Sequence, residues 1–74
     1  MASTVTANPV FRIEFDREKD GRWIAEVPGL PGVLSYGATK QEALVRVKAL
    51  AFRVLADRAE RQKKAPNSVR FACA

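Results

Sequence analysis

The sequence predicts an α+β domain: a small antiparallel sheet with one long helix on one face, in the order β-β-β-α-β. Three observations lead there. Two early runs, Phe11-Arg-Ile-Glu-Phe15 and Trp23-Ile-Ala-Glu-Val27, alternate along the chain, and a period of two marks a half-buried strand. Pro28-Gly-Leu-Pro-Gly32 then interrupts any regular element, because each proline lacks an amide donor and has a fixed φ. Beyond it, Thr39-Lys-Gln-Glu42 opens a run in which Leu44, Val47, Ala51, Val54 and Leu55 recur at helical spacing. One helix and a few strands bury each other as two layers.

Residues 1–9 are small and polar and end in Asn8-Pro9, which reads as a flexible N-terminal tail. Residues 10–74 form a single domain. In its first strand Phe11, Ile13 and Phe15 share one face, with Arg12, Glu14 and Asp16 on the other. Arg17 to Gly21 is a polar turn, with Asp20-Gly21 supplying the residue that tolerates positive φ. Trp23, Ala25 and Val27 line one face of the second strand, opposite Arg22, Ile24 and Glu26, so the two runs should pair as an antiparallel hairpin. The Pro28–Gly32 segment is an ordered turn with Leu30 positioned to plug the core. Val33 to Tyr36 reads as a short third strand stopped by Gly37. The helix should run from about Lys40 to about Arg61, with Thr39 and Glu42 satisfying each other's amides as a capping box, and Pro66 barring continuation. Ser68 to Phe71 can make a fourth strand with Val69 and Phe71 facing inward. The outer sheet face then carries Arg12, Glu14, Arg22, Ile24 and Glu26 and can meet water.

A chain of 74 residues buries only about 60–65% of the surface its unfolded form exposes, so its core alone gives marginal stability. Small domains are usually stapled by a disulfide, a metal or another polypeptide. Cys73 is the only cysteine and there is no histidine, which excludes an internal disulfide and argues against a zinc site. By elimination the expectation is a homodimer or homotetramer, with no cofactor and no metal. No apolar run approaches the roughly 20 residues of a membrane span, and Met1 to Ala7 lack the charge and apolar stretch of a signal peptide. With a free thiol, a cytoplasmic location is expected.

Catalytic machinery is not expected either. Nucleophilic triads need a positioned base, usually histidine. Asp16, Glu18 and Asp20 sit in or beside a charged turn, where solvated carboxylates seldom acquire the shifted pKa of acid–base catalysis. Gly29, Gly32 and Gly37 do not have the spacing of a phosphate loop. The net charge of +5 admits nucleic acid as a partner, through Arg58, Arg61, Lys63, Lys64 and Arg70. Most of these lie at the end of the helix, however, where cations complement the helix dipole.

One feature of the helix asks for more than a single sheet. At about 100° per residue, Val45, Ala49, Phe52 and Ala56 fall on a face well separated from the core stripe. Either the sheet or the closing strand curls round to cover this second stripe, or another polypeptide does.

From Asp20 to Ala43 the sequence reads Asp-Gly-Arg-Trp-Ile-Ala-Glu-Val-Pro-Gly-Leu-Pro-Gly32, four residues, then Gly37-Ala-Thr-Lys-Gln-Glu-Ala43. This composite resembles the N-terminal domain of the HicB antitoxin family and its short stand-alone relatives, over about Phe11 to Leu55. The resemblance implies a strand-strand-strand-helix-strand domain of partial ribonuclease-H-like type, without nuclease activity, that binds and masks a small RNA-cleaving toxin of the HicA type. Pro28, Leu30, Pro31, Gly32, Gly37, Thr39, Glu42 and Ala43 match the family motif, and their physical reading is structural: a turn, a strand stop and a helix cap. The C-terminal DNA-binding domain usual in full-length HicB proteins does not fit in these residues, so operator binding is not expected of them. The contact with a partner or second copy is expected on a face around Trp23, Tyr36, Val45, Ala49, Phe52 and Ala56. A basic nucleic-acid-binding module, or a structural homo-oligomer without a toxin, are the alternatives.

Overall fold

The computed structural model describes residues 9–73; the expected tail lies almost entirely outside them. The elements are β1 (Val10–Arg17), β2 (Trp23–Glu26), β3 (Leu34–Gly37), α1 (Lys40–Gln62) and β4 (Arg70–Cys73). They form a four-stranded sheet in the order β3-β2-β1-β4 under one long helix, which is the expected α+β architecture. The first three strands are antiparallel, whereas β4 returns along the far side of β1 and pairs with it in parallel, Phe11 opposite Phe71. The sheet is therefore mixed. A parallel neighbour needs a crossover, and α1 supplies it.

The β1–β2 hairpin closes over Lys19-Asp20-Gly21. The Gly21 amide donates to the Glu18 carbonyl at 2.9 Å and the Glu18 amide to the Arg22 carbonyl at 2.7 Å. Gly21 takes φ 92°, the left-handed residue that a three-residue hairpin loop requires. The Asp20 carboxylate accepts from the Arg22 backbone at 3.0 Å and from its Nε at 2.8 Å, locking the loop from outside.

Pro28-Gly-Leu-Pro-Gly32 is two successive turns sharing Leu30. The Leu30 amide donates to the Val27 carbonyl at 2.9 Å, and the Val33 amide to the Leu30 carbonyl at 3.0 Å. Each turn has proline at its second position and glycine at its third, and Gly32 at φ 81° makes the second turn type II. The double turn pushes Leu30 inward until it is 1% exposed. Together with Ile13, Ala25, Val27, Val33, Ala43, Val47 and Ala51 it forms the buried core. Burying a leucine this fully stabilises by about 1.5–3 kcal/mol.

Several boundaries move from their expected places. Val33 lies just before β3, and Gly37 is the last residue of the strand rather than the first beyond it. Gly37 is there because a Cβ would strike the backbone of Ala43 and come within 3.0 Å of the Glu42 carbonyl carbon; only glycine lets the first turn of α1 settle on β3. Thr39 caps the helix as expected, its Oγ1 accepting from the Glu42 amide at 3.0 Å. The reciprocal bond differs: the Glu42 carboxylate accepts from Ala38, one residue earlier than a capping box prescribes, at 2.7 Å. The helix ends before Pro66 can act. Lys63 adopts φ 55° and returns its amide to the Ala59 carbonyl, a left-handed cap. β4 starts two residues later than expected, at Arg70.

Candidate interaction surface

At roughly 1.5 Å per residue, the 23 residues of α1 span roughly 34 Å, while the four residues of β2 or β3 span roughly 13 Å. The helix leans on β3 and β2 and outruns both. Its sheet-facing side buries Ala43, Val47 and Ala51, with Leu44, Leu50, Val54 and Leu55 half-buried around them. On the opposite side Val45 and Phe52 remain 55% and 54% exposed, flanked by half-buried Ala49 and exposed Ala56.

The second stripe is thus real, and the closing strand covers only its flank. Phe71 on β4 meets Phe52 edge-on, with ring centroids 5.4 Å apart, and also touches Phe11 at 6.2 Å. Lys48 lies 5.9 Å from the Phe71 ring. Such an edge-on pair contributes about 0.5–1.5 kcal/mol, enough to orient Phe52 while its outer half stays in water.

Cations rim the stripe. Between Glu42 and Asp57 the helix carries Arg46, Lys48 and Arg53 and no acid. Arg46 is held by Glu42 at 3.6 Å and donates to the Tyr36 carbonyl at 3.1 Å. Arg53 has no ion-pair partner among the described residues.

The other expected contact residues do not join this face. The register sets Trp23 opposite Gly37 and alongside Arg17, on the helix side of the sheet. There it is half-buried, with Arg17 at 5.2 Å and Lys40 at 5.7 Å from its ring. Tyr36 points to the outer sheet face, where Arg22 stacks on it at 4.7 Å. The face expected around Trp23, Tyr36, Val45 and Phe52 is therefore three separate places, because alternation sends Trp23 and Tyr36 to opposite sides of the sheet. Leu34, which sequence reasoning did not single out, is exposed beside Tyr36 on that outer face.

The basic cluster at the helix end is spread out. Arg61 pairs with Asp57 at 2.9 Å, Lys63 forms the cap and Arg70 lies on the outer face of β4. Among the described residues no group of three histidine, cysteine or acidic side chains is placed to hold a metal ion, and no helix is long and apolar enough to cross a membrane. Glu18, Lys19, Asp20 and Arg22 line a shallow concavity at the hairpin tip. There the Arg22 amide, opposed by slight desolvation and aided by the guanidinium, lowers the pKa of Asp20.

Comparison with known proteins adds one relative. A protein of Thermoplasma acidophilum is 37% identical over 38 residues, which are 51% of this chain and 55% of that protein. It is described as a UPF0150 protein. The chain thus spans about half the length of the curated relative that it matches. No protein-family model matches the chain, and no solved structure does.

Proposed function

We propose that this UPF0150-similar chain is a HicB-like, antitoxin-type protein-binding module that masks an RNA-cleaving toxin of the HicA type and is itself non-catalytic. The observation that carries the reading is the helix face of Val45, Ala49, Phe52 and Ala56: an apolar stripe, more than half exposed at its two large residues, on a helix whose other side already supplies the core. An exposed apolar seam with a polar rim is the usual form of a protein-docking site. The family resemblance of the Asp20–Ala43 segment supports the nature of the partner. The cationic rim adds a constraint, since a toxin's RNA-binding surface is itself basic. The toxin segment seated on this stripe would therefore be acidic or neutral, with Phe52 as its central anchor.

The test is RNA cleavage by a HicA-type toxin, titrated with the wild type and with Phe52→Asp and Val45→Asp. The wild type should suppress cleavage, and both variants should lose suppression while keeping the wild-type circular dichroism. Val45→Asp separates docking from folding, because Val45 has no part in the Phe11–Phe52–Phe71 ring cluster. Suppression by the variants equal to that of the wild type would refute the reading.

A further inference from the structure

The sheet order leaves β3 as an open edge. The Val27 amide donates to the Val33 carbonyl at 2.9 Å, which makes those two residues a hydrogen-bonded pair. By the alternation of an antiparallel ladder, Ser35 and Gly37 also bond to β2, while Leu34 and Tyr36 turn their amides and carbonyls away from the sheet. Arg46 confirms the direction, since its Nη1 reaches the Tyr36 carbonyl from the open side at 3.1 Å. The amide and carbonyl of Leu34 and the amide of Tyr36 have no such partner among the described residues.

Natural edge strands are usually protected by charge, proline, a bulge or cover. Leu34-Ser-Tyr-Gly37 contains no charged residue and no proline, and its one guard is the Arg46 side chain. The two outward-facing residues of this edge are also exposed apolar ones, Leu34 at 38% and Tyr36 at 37%. Half-buried Ile24, opposite Tyr36 in the register, extends them into a small patch on the outer face.

We propose that a second copy of this chain adds to β3 across a two-fold axis at Ser35, joining two four-stranded sheets into one of eight strands. The register is self-complementary. Leu34 exchanges both backbone hydrogen bonds with the partner's Tyr36, and Tyr36 does the same with the partner's Leu34, giving four in all. The Tyr36 carbonyl can serve both Arg46 and the new amide, because a carbonyl oxygen has two lone pairs. On the outer face, Leu34 and Tyr36 lie beside the same two residues of the other copy, so an isologous contact covers both patches at once. The interface is small, so the dimer is concentration-dependent. This proposal is independent of the toxin reading: it uses the sheet edge and leaves the Val45–Phe52 stripe free for a different partner.

Sedimentation equilibrium with cysteine crosslinking in a Cys73→Ser background tests it. The wild type should show a monomer–dimer equilibrium, and Leu34→Lys/Tyr36→Lys should be monomeric with an unchanged circular dichroism spectrum. Two-fold pairing makes Ser35 face the partner's Ser35 as a non-hydrogen-bonded pair, with Cα atoms about 4.5 Å apart, inside the span of about 4.4–6.8 Å that a disulfide bridges. Ser35→Cys/Cys73→Ser should therefore oxidise to a covalent dimer, and Phe52→Cys/Cys73→Ser should not. A wild type that is monomeric up to its solubility limit would overturn the proposal. So would a dimer that survives the double lysine change, or crosslinking through position 52 instead of 35.

Discussion

Gly37→Ala isolates the contact that sets the helix on the sheet. Gly37 does not take a left-handed conformation, so alanine is acceptable to the backbone and the whole cost is steric. The added methyl would meet the backbone of Ala43 and Glu42, at 3.0 Å or closer, and backbone at a helix N-terminus cannot swing aside as a side chain can. Overpacking of this kind costs about 1–3 kcal/mol, and rigid neighbours place it near the upper end. Against this, replacing glycine narrows the unfolded ensemble and returns about 0.4–1 kcal/mol. The net loss is about 1.5–2.6 kcal/mol, from a total of about 4–11 kcal/mol for a chain of this length. At about 4–8 °C per kcal/mol, the midpoint should fall by about 6–21 °C. Thermal denaturation followed by circular dichroism reads this directly. Gly29→Ala is the control: its Cβ would meet only the Phe11 ring, at 3.3 Å, and a ring can shift. Equal midpoints for Gly37→Ala and the wild type would refute the view that α1 sits on β3 through a position only glycine can fill.

Three further outcomes follow from the same physics. Leu30→Ala should destabilise by about 2–5 kcal/mol, because the double turn holds that side chain fully inside; urea unfolding would show it, and a loss under about 1 kcal/mol would mean the turn is not anchored by its leucine. Thr39→Ala removes the acceptor for the Glu42 amide and should cost about 1 kcal/mol, lowering the thermal midpoint, with Thr39→Ser restoring it. Asp20→Asn keeps an acceptor for the Arg22 amide but loses the ion pair. Because the folded pKa of Asp20 is lowered, its contribution is full above the ordinary carboxylate range and is lost as pH falls through the lowered value. The small wild-type advantage in denaturation should therefore be visible at neutral pH and vanish in acid.

Much of the fold could be read from local signals. Alternation in β1 and β2 assigned their faces, paired prolines and glycines marked the turns, and Thr39 with the following periodicity placed the start of α1. What could not be read was long-range or lacked a marker. The parallel pairing of β4 depends on where the crossover delivers the chain, and a run of four residues has too little pattern to fix its register, so β4 begins two residues late. Lys63 ends the helix in a left-handed conformation that no glycine announced.

The surface divides in the same way. The stripe of Val45, Ala49, Phe52 and Ala56 was visible in the periodicity, and the absence of acid between Glu42 and Asp57 is visible beside it once the stripe is known to face out. Leu34 carries no sequence signal of its own, because β3 shows only two residues per face. Trp23 belongs with Ala25 and Val27 by the same alternation that identified its strand, and its place inside the sheet follows from that pattern.

The proposed function requires α1 to have two working faces, one for its own sheet and one for another chain. Isothermal titration of a HicA-type toxin into the wild type and into Val45→Asp weighs this most directly. The expected result is a saturable complex with the wild type, and heat no greater than dilution for a variant that melts at the wild-type temperature. Equal binding by the two proteins, or a wild type that leaves the toxin unbound, would contradict it.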